Sequence, residues 1–313
     1  MVELVAPHTA GDPMQATKWL NCRLRAIQGR LAERGHPVSL PVISRLLRAA
    51  DYRLRGNQKQ RSGPAHPERD QQFGHIAAER ARHLNDRQPV ISVDTKKKEL
   101  IGDFKNAGQA WGVLPEQVNV HDFPSEAVGR AVPYGIYDAM RNVGRVYVGQ
   151  SADTPEFAVD AIAAWCASEL PLAYPGATQL LIQADSGGSN SARSRVWKAH
   201  LQTEVADRLG LTVTVCHYPP GTSKWNPIEH RLFSAISQTW AGCPLRTFAQ
   251  MLEYLRTTTT TTGLRVQAEL RPQIYHTGVQ IADAVMTSLN IQAHTICPAW
   301  NYTIHPRSLA LAA

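Results

Sequence analysis

The chain has 313 residues and a mass of 34.5 kDa; 43% of its residues are hydrophobic and 19% are charged. This length supports roughly two domains, and this apolar content is enough for packed cores, which excludes a disordered protein. The longest apolar runs fall far short of the roughly 18 residues that a membrane span needs, and the first residues lack a secretory signal pattern. We therefore expect a cytoplasmic protein without a membrane partner.

The charge of the chain is concentrated at its start. The sequence carries 33 lysine and arginine residues against 26 aspartate and glutamate residues, a formal net charge of +7. Residues 1–90 hold 15 basic and 8 acidic side chains, a balance of +7, whereas residues 91–313 hold 18 of each and are neutral. This asymmetry indicates a polyanion-binding N-terminal part joined to a body with another role; a basic surface kept only for solubility is the alternative.

Two helices are predicted near the N-terminus. Apolar residues recur at three- and four-residue spacing over residues 17–34, a Gly-His-Pro turn follows, and Ser39 can cap a second amphipathic helix. This pattern predicts a helix-turn-helix DNA-binding region in residues 1–60, followed by a basic linker and a further helix in residues 61–88; a helical hairpin that binds nothing is the alternative. The candidate DNA contacts are Ser44, Arg45 and Arg48 on the second helix and Arg53, Arg55 and Lys59 in the basic stretch after it, for which a solvated linker is the alternative.

The body of the chain, residues 89–257, alternates between strand and helix patterns. Strands are predicted at residues 89–94, 129–138, 144–149, 178–185 and 211–217, and helices at residues 154–170, 191–209 and 227–240. This order predicts an α/β domain of the ribonuclease-H-like fold, a mixed sheet flanked by helices. Residues 258–313 are predicted as an extension packed on that domain.

Three acidic residues fall where this fold brings side chains to one edge of its sheet. Asp94 ends the first strand, Asp185 ends the fourth, and Glu229 lies in the last helix. Three adjacent carboxylates repel one another unless divalent cations neutralise them, and Mg²⁺ is the ion usually held by carboxylates together with phosphate oxygens. Two ions about 4 Å apart would serve an in-line displacement at phosphorus. Each acid also has a plain alternative: Asp94 and Asp185 could begin turns, and Glu229 could complete a capping box whose cap is Asn226.

Long sequence blocks around these acids resemble a known family over residues 3–307. The blocks are SVDTKKKELIGDFKNAGQAW (92–111), VNVHDFP (118–124), PYGIYD (133–138), LIQADSGGSNSARSRVWK (181–198), CHYPPGTSKWNPIEHRLFS (216–234) and WNYTIHPR (300–307). They are similar to the DDE transposases of bacterial insertion sequences of the ISAzo type, whose catalytic part is the Rhodopirellula-type transposase DDE domain. The resemblance implies that Asp94, Asp185 and Glu229 are the catalytic triad and the metal ligands. It implies two Mg²⁺ ions per site, with Mn²⁺ as a substitute.

The resemblance also implies the reaction and the partners. The reaction is metal-dependent DNA cleavage at element ends followed by strand transfer, and the partner is double-stranded DNA, as terminal inverted repeats and as target. We expect a homodimer or higher oligomer on DNA, in the bacterial cytoplasm at the nucleoid. Family members carry further helical sequence ahead of the position of Met1, so we expect a DNA-binding region truncated at its start. The alternatives are a DNA-binding transposase remnant that no longer cleaves and a nuclease of the same fold.

Basic residues flank each of the three acids. The candidate phosphate contacts are Lys96, Lys97, Lys98, Arg193, Arg195, Lys198, Lys224 and His230, and a solvated charge run or a local hydrogen bond is the alternative for them. Trp225 is predicted to pack in the core rather than to stack on a base. His121 and Asp122 are predicted either to support the site from a second layer or to share a loop hydrogen bond.

Overall fold

The computed structural model of the chain describes residues 23–50, 52, 66–112 and 114–307, and the backbone of residues 9–11 and 18–20. The chain separates into two compact units, Met1–Ser62 and Gly63–Ala313. No helix of the described part is long and apolar enough to cross a membrane.

Among its described residues, the first unit has two short strands and two helices. Strands β1 (Thr9–Gly11) and β2 (Lys18–Leu20) pair antiparallel, and helices α1 (Leu24–Glu33) and α2 (Leu40–Ala49) follow. The first helix was expected from residue 17, but it begins at Leu24 because the backbone of the preceding residues is engaged in the strand pair.

The two helices of this unit pack through a small apolar core. Ile27 on α1 and Ile43 and Leu47 on α2 are buried against each other. Gly35 follows α1 with a φ of +81°, the left-handed conformation that ends many helices and that glycine adopts without strain. Helix, turn and helix are therefore present as the sequence indicates. Arg53, Arg55 and Lys59 lie outside the described residues.

The second unit contains one large mixed sheet with its helices. Its elements are α3 (Arg69–Asn85), β3 (Val90–Thr95), β4 (Glu99–Ile101), β5 (Gly129–Asp138), β6 (Val143–Gly149), α4 (Pro155–Ala173), β7 (Gln179–Asp185), α5 (Arg195–His200) with a π-helical continuation (Leu201–Asp207), β8 (Thr212–Tyr218), a π-helical segment (Glu229–Phe233) that runs into α6 (Ser234–Thr239), α7 (Phe248–Thr257), β9 (Arg265–Arg271), α8 (Asp283–Thr287), β10 (Ile291–Ala293) and β11 (Asn301–Ile304). Some helices begin at a side-chain cap, as α4, α5 and α7 do at Thr154, Ser194 and Thr247, whereas Ser39, the predicted cap of α2, makes no such hydrogen bond. Thr154, for example, accepts a hydrogen bond from the backbone N–H of Phe157 at the start of α4.

The order of the strands confirms the predicted fold. The sheet runs β10-β11-β8-β7-β3-β5-β6-β9, and β4 pairs with β5. In its centre β3 is antiparallel to β5 and β5 to β6, whereas β3 is parallel to β7 and β7 to β8. This is the ribonuclease-H-like arrangement. Because β3, β6, β7 and β8 point the same way, their carboxyl ends lie at one edge of the sheet.

Helices cover both faces of the sheet. On one face Ile91, Leu180 and Val213 pack with α4, α5 and the π-helical continuation of α5. Neighbouring positions along the strands face the other side, where Leu181 packs with Ile76 of α3. On that side the π-helical segment, α6 and α7 cover the half formed by β4, β5, β6 and β9. The near-continuous apolar strands follow from this two-sided burial.

The C-terminal region is part of the sheet. Strand β9 runs parallel to β6 along its whole length, and β11 pairs antiparallel with β8. The sequence predicted that residues 258–313 would pack on the domain, whereas three of their segments hydrogen-bond into it. The predicted strands do not include β9, although its exposed and buried residues alternate at its start, a pattern typical of a half-buried strand.

Candidate active site

Asp94 and Asp185 lie side by side at the carboxyl-end edge of the sheet. Asp94 is the fifth residue of β3, Asp185 is the last of β7, and the two strands are parallel with Val93 opposite Ala184. Glu229 reaches the same place from the π-helical segment, which packs against β5. The structure therefore brings the three predicted acids together from three elements.

Two carboxylates of this group, Asp94 and Asp185, have raised pKa values. Burial first, and then the negative charge of Asp185, raises the pKa of Asp94 to about 8; the charge of Glu229 and a side-chain hydrogen bond with it add to the shift, and the Thr95 N–H opposes it. Burial also raises the pKa of Asp185; a hydrogen bond from Asn226 opposes this shift and the charge of Glu229 adds to it. Such shifts are frequent at functional sites, and a bound cation would favour the charged forms of these two acids.

Asn226 serves the acids directly. Its buried side chain donates from Nδ2 to Asp185 Oδ1 at 3.3 Å and to the Val93 carbonyl at 3.2 Å, while its Oδ1 has no partner among the described residues. The Glu229 N–H bonds to the Asn226 backbone carbonyl at 3.1 Å. The alternative of a capping box is therefore wrong, because the side chain of Asn226 points to Asp185 and not to the helix.

Two glycines bring the helix of Glu229 close to the sheet. Gly135 lies opposite Asp94 in the β3–β5 pair, and a Cβ atom there would come within 2.5 Å of Phe233 Cε1. Gly144 on β6 gives the same room to Leu232. A π-helical turn at this point changes which side chains face the sheet, and such turns are frequent at functional sites.

A cleft of about 460 Å³ opens beside Asp94 and Asp185. Thr95 Oγ1 donates to Asp153 Oδ1 at 3.1 Å and lies 3.1 Å from Ser189 Oγ, and Lys98 Nζ is 3.4 Å from Asp153 Oδ2. Asp153, Ser189 and the role of Asn226 are not among the features that the sequence predicts. Asp153 follows β6, whose carboxyl end lies at the same edge, so the strand directions of the predicted fold could have identified it.

A second cleft, of about 760 Å³, meets the first at Asp185 and Gly187. Its lining includes Arg193, Ser223 and Trp300. Asp185 therefore stands between two open grooves, one lined by Lys97 and Lys98 and the other by Arg193.

The structure separates the predicted phosphate contacts near Asp94. Lys97 is exposed and Lys98 is half-exposed at the cleft. Lys96 is only 7% exposed, pairs with Glu99 at 3.2 Å and lies 4.7 Å from the centre of the Trp240 ring. Its ammonium is engaged by Glu99 and Trp240, although Lys96 also lines the cleft, so its contact with a phosphate stays a prediction.

The basic residues after Asp185 also differ among themselves. Arg193 is exposed, Arg195 pairs with Asp283 at 2.5 Å, and Lys198 is half-buried with its ammonium 5.1 Å from the centre of the Tyr302 ring. Burial lowers the pKa of Lys198. Of these three, Arg193 is the side chain most open to a phosphate.

The predicted DNA contacts that flank Glu229 in sequence lie on the surface. Lys224 and His230 are exposed, and a His230 ring nitrogen contacts the Lys224 carbonyl. Trp225 is 53% exposed, with one edge against Phe73, so the prediction that it packs in the core is wrong. His121 and Asp122 are exposed and belong to the loop between β4 and β5.

The predicted DNA contacts of α2 lie on its outer side. Arg45 and Arg48 are exposed and Ser44 is half-buried, while Ile43 and Leu47 of the same helix face α1.

The three acids fit a divalent cation by their chemistry. Carboxylate oxygens are the ligands that Mg²⁺ prefers, and burial together with the charges of Asp185 and Glu229 raises the pKa of Asp94 to about 8. Within the described chain their oxygens do not all come within 4.8 Å of one another, as expected for like charges held by the protein alone.

Comparison with known protein families identifies a match over nearly the whole chain. The family model of the Rhodopirellula transposase DDE domain matches residues 1–306. The sequence matches none of the curated proteins at a significant level.

Several solved structures of Mos1 transposase are similar to this chain. The paired-end complex with the left transposon end has 10% identity and a TM-score of 0.46, and the match covers 78% of this chain and 73% of that one. The mariner paired-end complex with Mn has 13% identity and a TM-score of 0.43, with 79% and 72% covered. The strand transfer complex has 11% identity and a TM-score of 0.44, with 78% and 72% covered.

The family match spans nearly the whole chain and includes all three acids that meet at the sheet edge. The protein therefore belongs to the Rhodopirellula transposase DDE domain family and is a DDE-type DNA transposase.

Proposed function

We propose that this transposase cuts DNA at the ends of an insertion sequence and joins them to target DNA, with Asp94, Asp185 and Glu229 as its catalytic metal ligands. DDE transposases depend on divalent metal ions. The observation that carries the proposal is the convergence of these acids, from β3, β7 and the π-helical segment, at one edge of the sheet, where the charges of Asp185 and Glu229 act on Asp94. We infer that Mg²⁺ is the ion, that Mn²⁺ substitutes for it, and that each site takes two.

The role of the ions follows from general chemistry. When bound, they would lower the pKa of a water or a 3′-hydroxyl and stabilise the leaving oxygen during displacement at phosphorus. The protein contributes the position and charge of the ligands. Asn226 holds Asp185 through its Nδ2, and the Thr95 N–H holds Asp94 through Oδ1 at 2.8 Å.

The surroundings of the acids suit a DNA strand. Lys97 and Lys98 line the cleft on one side of Asp185, and Arg193 lines the cleft on the other side. These side chains could bind the backbone phosphates on either side of the reacting phosphate. Asp153 pairs with Lys98 and would keep its ammonium at the mouth of the cleft.

The N-terminal unit supplies the second part of the proposal. We infer that residues 1–60 bind the terminal inverted repeats, with Arg45 and Arg48 on the outer side of α2 contacting DNA. Lys224 and His230 are proposed as further contacts beside Glu229. Two ends must be held together for joining, so we propose a dimer or higher oligomer on DNA, at the nucleoid of a bacterial cytoplasm.

The test is strand cleavage and joining on a duplex that carries the terminal repeats, with Mg²⁺ or Mn²⁺. Asp185→Asn should reduce both reactions by at least 10³-fold, on the order of the loss of a catalytic group, and should leave duplex binding intact. Asp86→Asn, an exposed carboxylate at the end of α3, is the matched control and should react as the wild type.

Equal products from wild type and Asp185→Asn would refute the assignment. Wild-type protein that binds the repeats but never cuts them would instead identify a DNA-binding remnant.

A further inference from the structure

A second cluster of metal-binding side chains lies far from the three acids. His75 and Glu79 are one helical turn apart on α3, and His294 directly follows β10. One ligand atom from each of the three lies within 4.8 Å of the other two. Their cleft, of about 690 Å³, is also lined by Gln179 and Thr212 at the amino ends of β7 and β8. It shares no residue with the cleft of Asp94 and Asp185.

The two histidines already face each other. His75 Nε2 lies 2.8 Å from His294 Nδ1, and the rings meet edge to face with their centres 5.0 Å apart. His294 Nε2 lies 2.9 Å from the hydroxyl of Thr303 on β11. Metal-bound histidines commonly have such a partner on the second ring nitrogen, which sets the tautomer and the ring orientation.

We propose that His75, Glu79 and His294 bind one Zn²⁺ ion, at a site separate from the catalytic one. Two imidazoles and one carboxylate form a ligand set typical of Zn²⁺. Mg²⁺ prefers oxygen ligands only, so the ligand chemistry separates this site from the three carboxylates.

The spacing of the ligand atoms suits this ion. Zn²⁺ bonds to nitrogen and oxygen at about 2.0–2.2 Å, so the ligand atoms of a tetrahedral site lie roughly 3.4 Å apart. To bind the ion, the two histidine nitrogens would move apart by about half an ångström. A rotation of the Glu79 side chain would bring its carboxylate oxygen to bonding distance of the ion.

One neighbour works against a cation at this place. Arg82 donates to Glu79 Oε2 from Nη2 at 2.9 Å and from Nε at 3.2 Å. Both of these bonds use the same carboxylate oxygen, and a metal would take Oε1. The charge of Arg82 weakens the site without blocking it, and removing that charge should strengthen metal binding.

The proposed ion would fasten the C-terminal edge of the sheet. Strand β10 has three residues, pairs only with β11 among the described strands, and carries His294 at its end. The ligands from α3 and from His294 are separated by more than 200 residues of sequence. A metal bridge between them would stabilise the folded state, by an amount that grows with the metal concentration relative to its Kd.

The test uses CoCl₂ as a spectroscopic probe on the full chain carrying Asp185→Asn. This substitution weakens Co²⁺ binding at the catalytic site, so that site contributes little to the absorption spectrum. Tetrahedral Co²⁺ absorbs intensely in the visible range, whereas Co²⁺ in an oxygen-ligand octahedral site absorbs weakly. We expect one equivalent of the intense species, displaced by ZnSO₄. His294→Ala and Glu79→Gln should each weaken Co²⁺ binding at least 10-fold, and Arg82→Ala should strengthen it several-fold. His121→Ala, an exposed histidine elsewhere, is the control and should bind as the parent does.

Circular dichroism of each variant establishes that it is folded, and the rise of Tm with ZnSO₄ gives a second readout. The proposal is overturned if the parent gives no intense Co²⁺ spectrum, or if the spectrum and the Tm rise persist in both His294→Ala and Glu79→Gln. The histidines would then share only a hydrogen bond. Because strand cleavage is not measured, this outcome is independent of the proposed function.

Discussion

Asp94 and Lys96 are two residues apart, and burial shifts their pKa values in opposite directions. Burial and the charge of Asp185 raise the pKa of Asp94 to about 8, whereas burial lowers the pKa of Lys96 against the opposing charge of Glu99. Both shifts disfavour the charged form. They have different consequences, because Lys96 has a partner in Glu99 and an aromatic ring beside it, while the neighbours of Asp94 are further acids.

Asp94 should make the stability of the metal-free protein depend on pH. Its pKa is raised from 3.8 to about 8, so the folded state holds this proton more tightly than the unfolded chain does. This contribution to stability is complete below pH 3.8 and is lost as the pH rises through about 8. In the presence of a chelator, the Tm of thermal unfolding should fall as the pH rises from about 6 to about 9, an interval that spans this pKa.

Asp94→Asn is the matched variant for this measurement. Its amide cannot ionise, so the fall in Tm should be smaller and the variant should be more stable than the wild type at the upper end of that pH range. MgCl₂ should raise the Tm of the wild type there and not that of the variant. A wild-type Tm that rises with pH over this interval would contradict the shifted pKa.

Lys96 and Lys97 should respond differently to truncation. Lys96→Ala removes the partner of the largely buried Glu99 and should destabilise the fold by on the order of 3 kcal/mol. Lys97→Ala should leave stability unchanged, weaken duplex binding and lower the slope of log K against log salt by about 1. Urea unfolding and salt-dependent DNA binding measure the two effects. A lowered salt slope in a folded Lys96→Ala protein would contradict its internal role.

At the scale of elements, the approach of one helix to β5 and β6 places Glu229. The helix is not held by its cap, since Asn226 bonds to the strands instead. Its position depends on Gly135 and Gly144, whose missing side chains leave room for Phe233 and Leu232. Interiors are packed densely enough that a single added methyl group must displace a neighbour.

Gly135→Ala should therefore impair catalysis through the helix. The new Cβ would lie 2.5 Å from Phe233 Cε1 and would push the π-helical segment, with Glu229, away from Asp94. We expect the variant to lose roughly 1–3 kcal/mol of folding stability. Its cleavage rate should fall further than the unfolded fraction of the protein accounts for. Cleavage rates and unfolding curves on the same preparation measure this.

Gly74→Ala is the control for that variant. Gly74 is exposed within α3 and has open space around its Cα, so alanine there should stabilise the protein by about 0.5–1 kcal/mol and leave cleavage unchanged. Wild-type cleavage in a folded Gly135→Ala protein would show that Glu229 is positioned by other contacts.

At the scale of the whole molecule, the C-terminal region completes the sheet. Strand β9 protects the edge of β6, and β11 protects the edge of β8. Tyr302 and Ile304 of β11 are buried in the main core, and Asn301 exchanges hydrogen bonds with the buried side chain of Gln72 on α3.

A chain cut after residue 257 should therefore fail to fold its second unit. It would leave two long strand edges unpaired and expose core side chains that β11 covers. Far-UV circular dichroism and size-exclusion chromatography should show an aggregated or unfolded product, while the full chain unfolds cooperatively. A soluble, cooperatively folded fragment that retains cleavage would identify residues 258–313 as an accessory extension.

Local pattern was sufficient for the central elements and for the identity of the acids. The apolar runs of β3, β7 and β8 are long enough to predict strands, and Asp94 and Asp185 are at their ends, so element order alone placed them at one edge. Short strands such as β4 and β10 lack that signal and become strands only because a neighbour supplies hydrogen bonds, whereas β9 does carry an alternation of apolar and polar residues.

The parts that depended on tertiary structure involve contacts between distant residues. Lys96 and Lys97 look alike in sequence, and only the packing of Trp240 and Glu99 buries the first. Asn226 has the sequence context of a helix cap, yet Asp185 and Val93 take its amide. His75, Glu79 and His294 are far apart in the chain and meet because α3 crosses the strands that β11 extends. Residue order determines periodicity and strand ends. Burial, charge pairing and the meeting of distant metal-binding side chains depend on which surfaces pack together in the folded sheet and its helices.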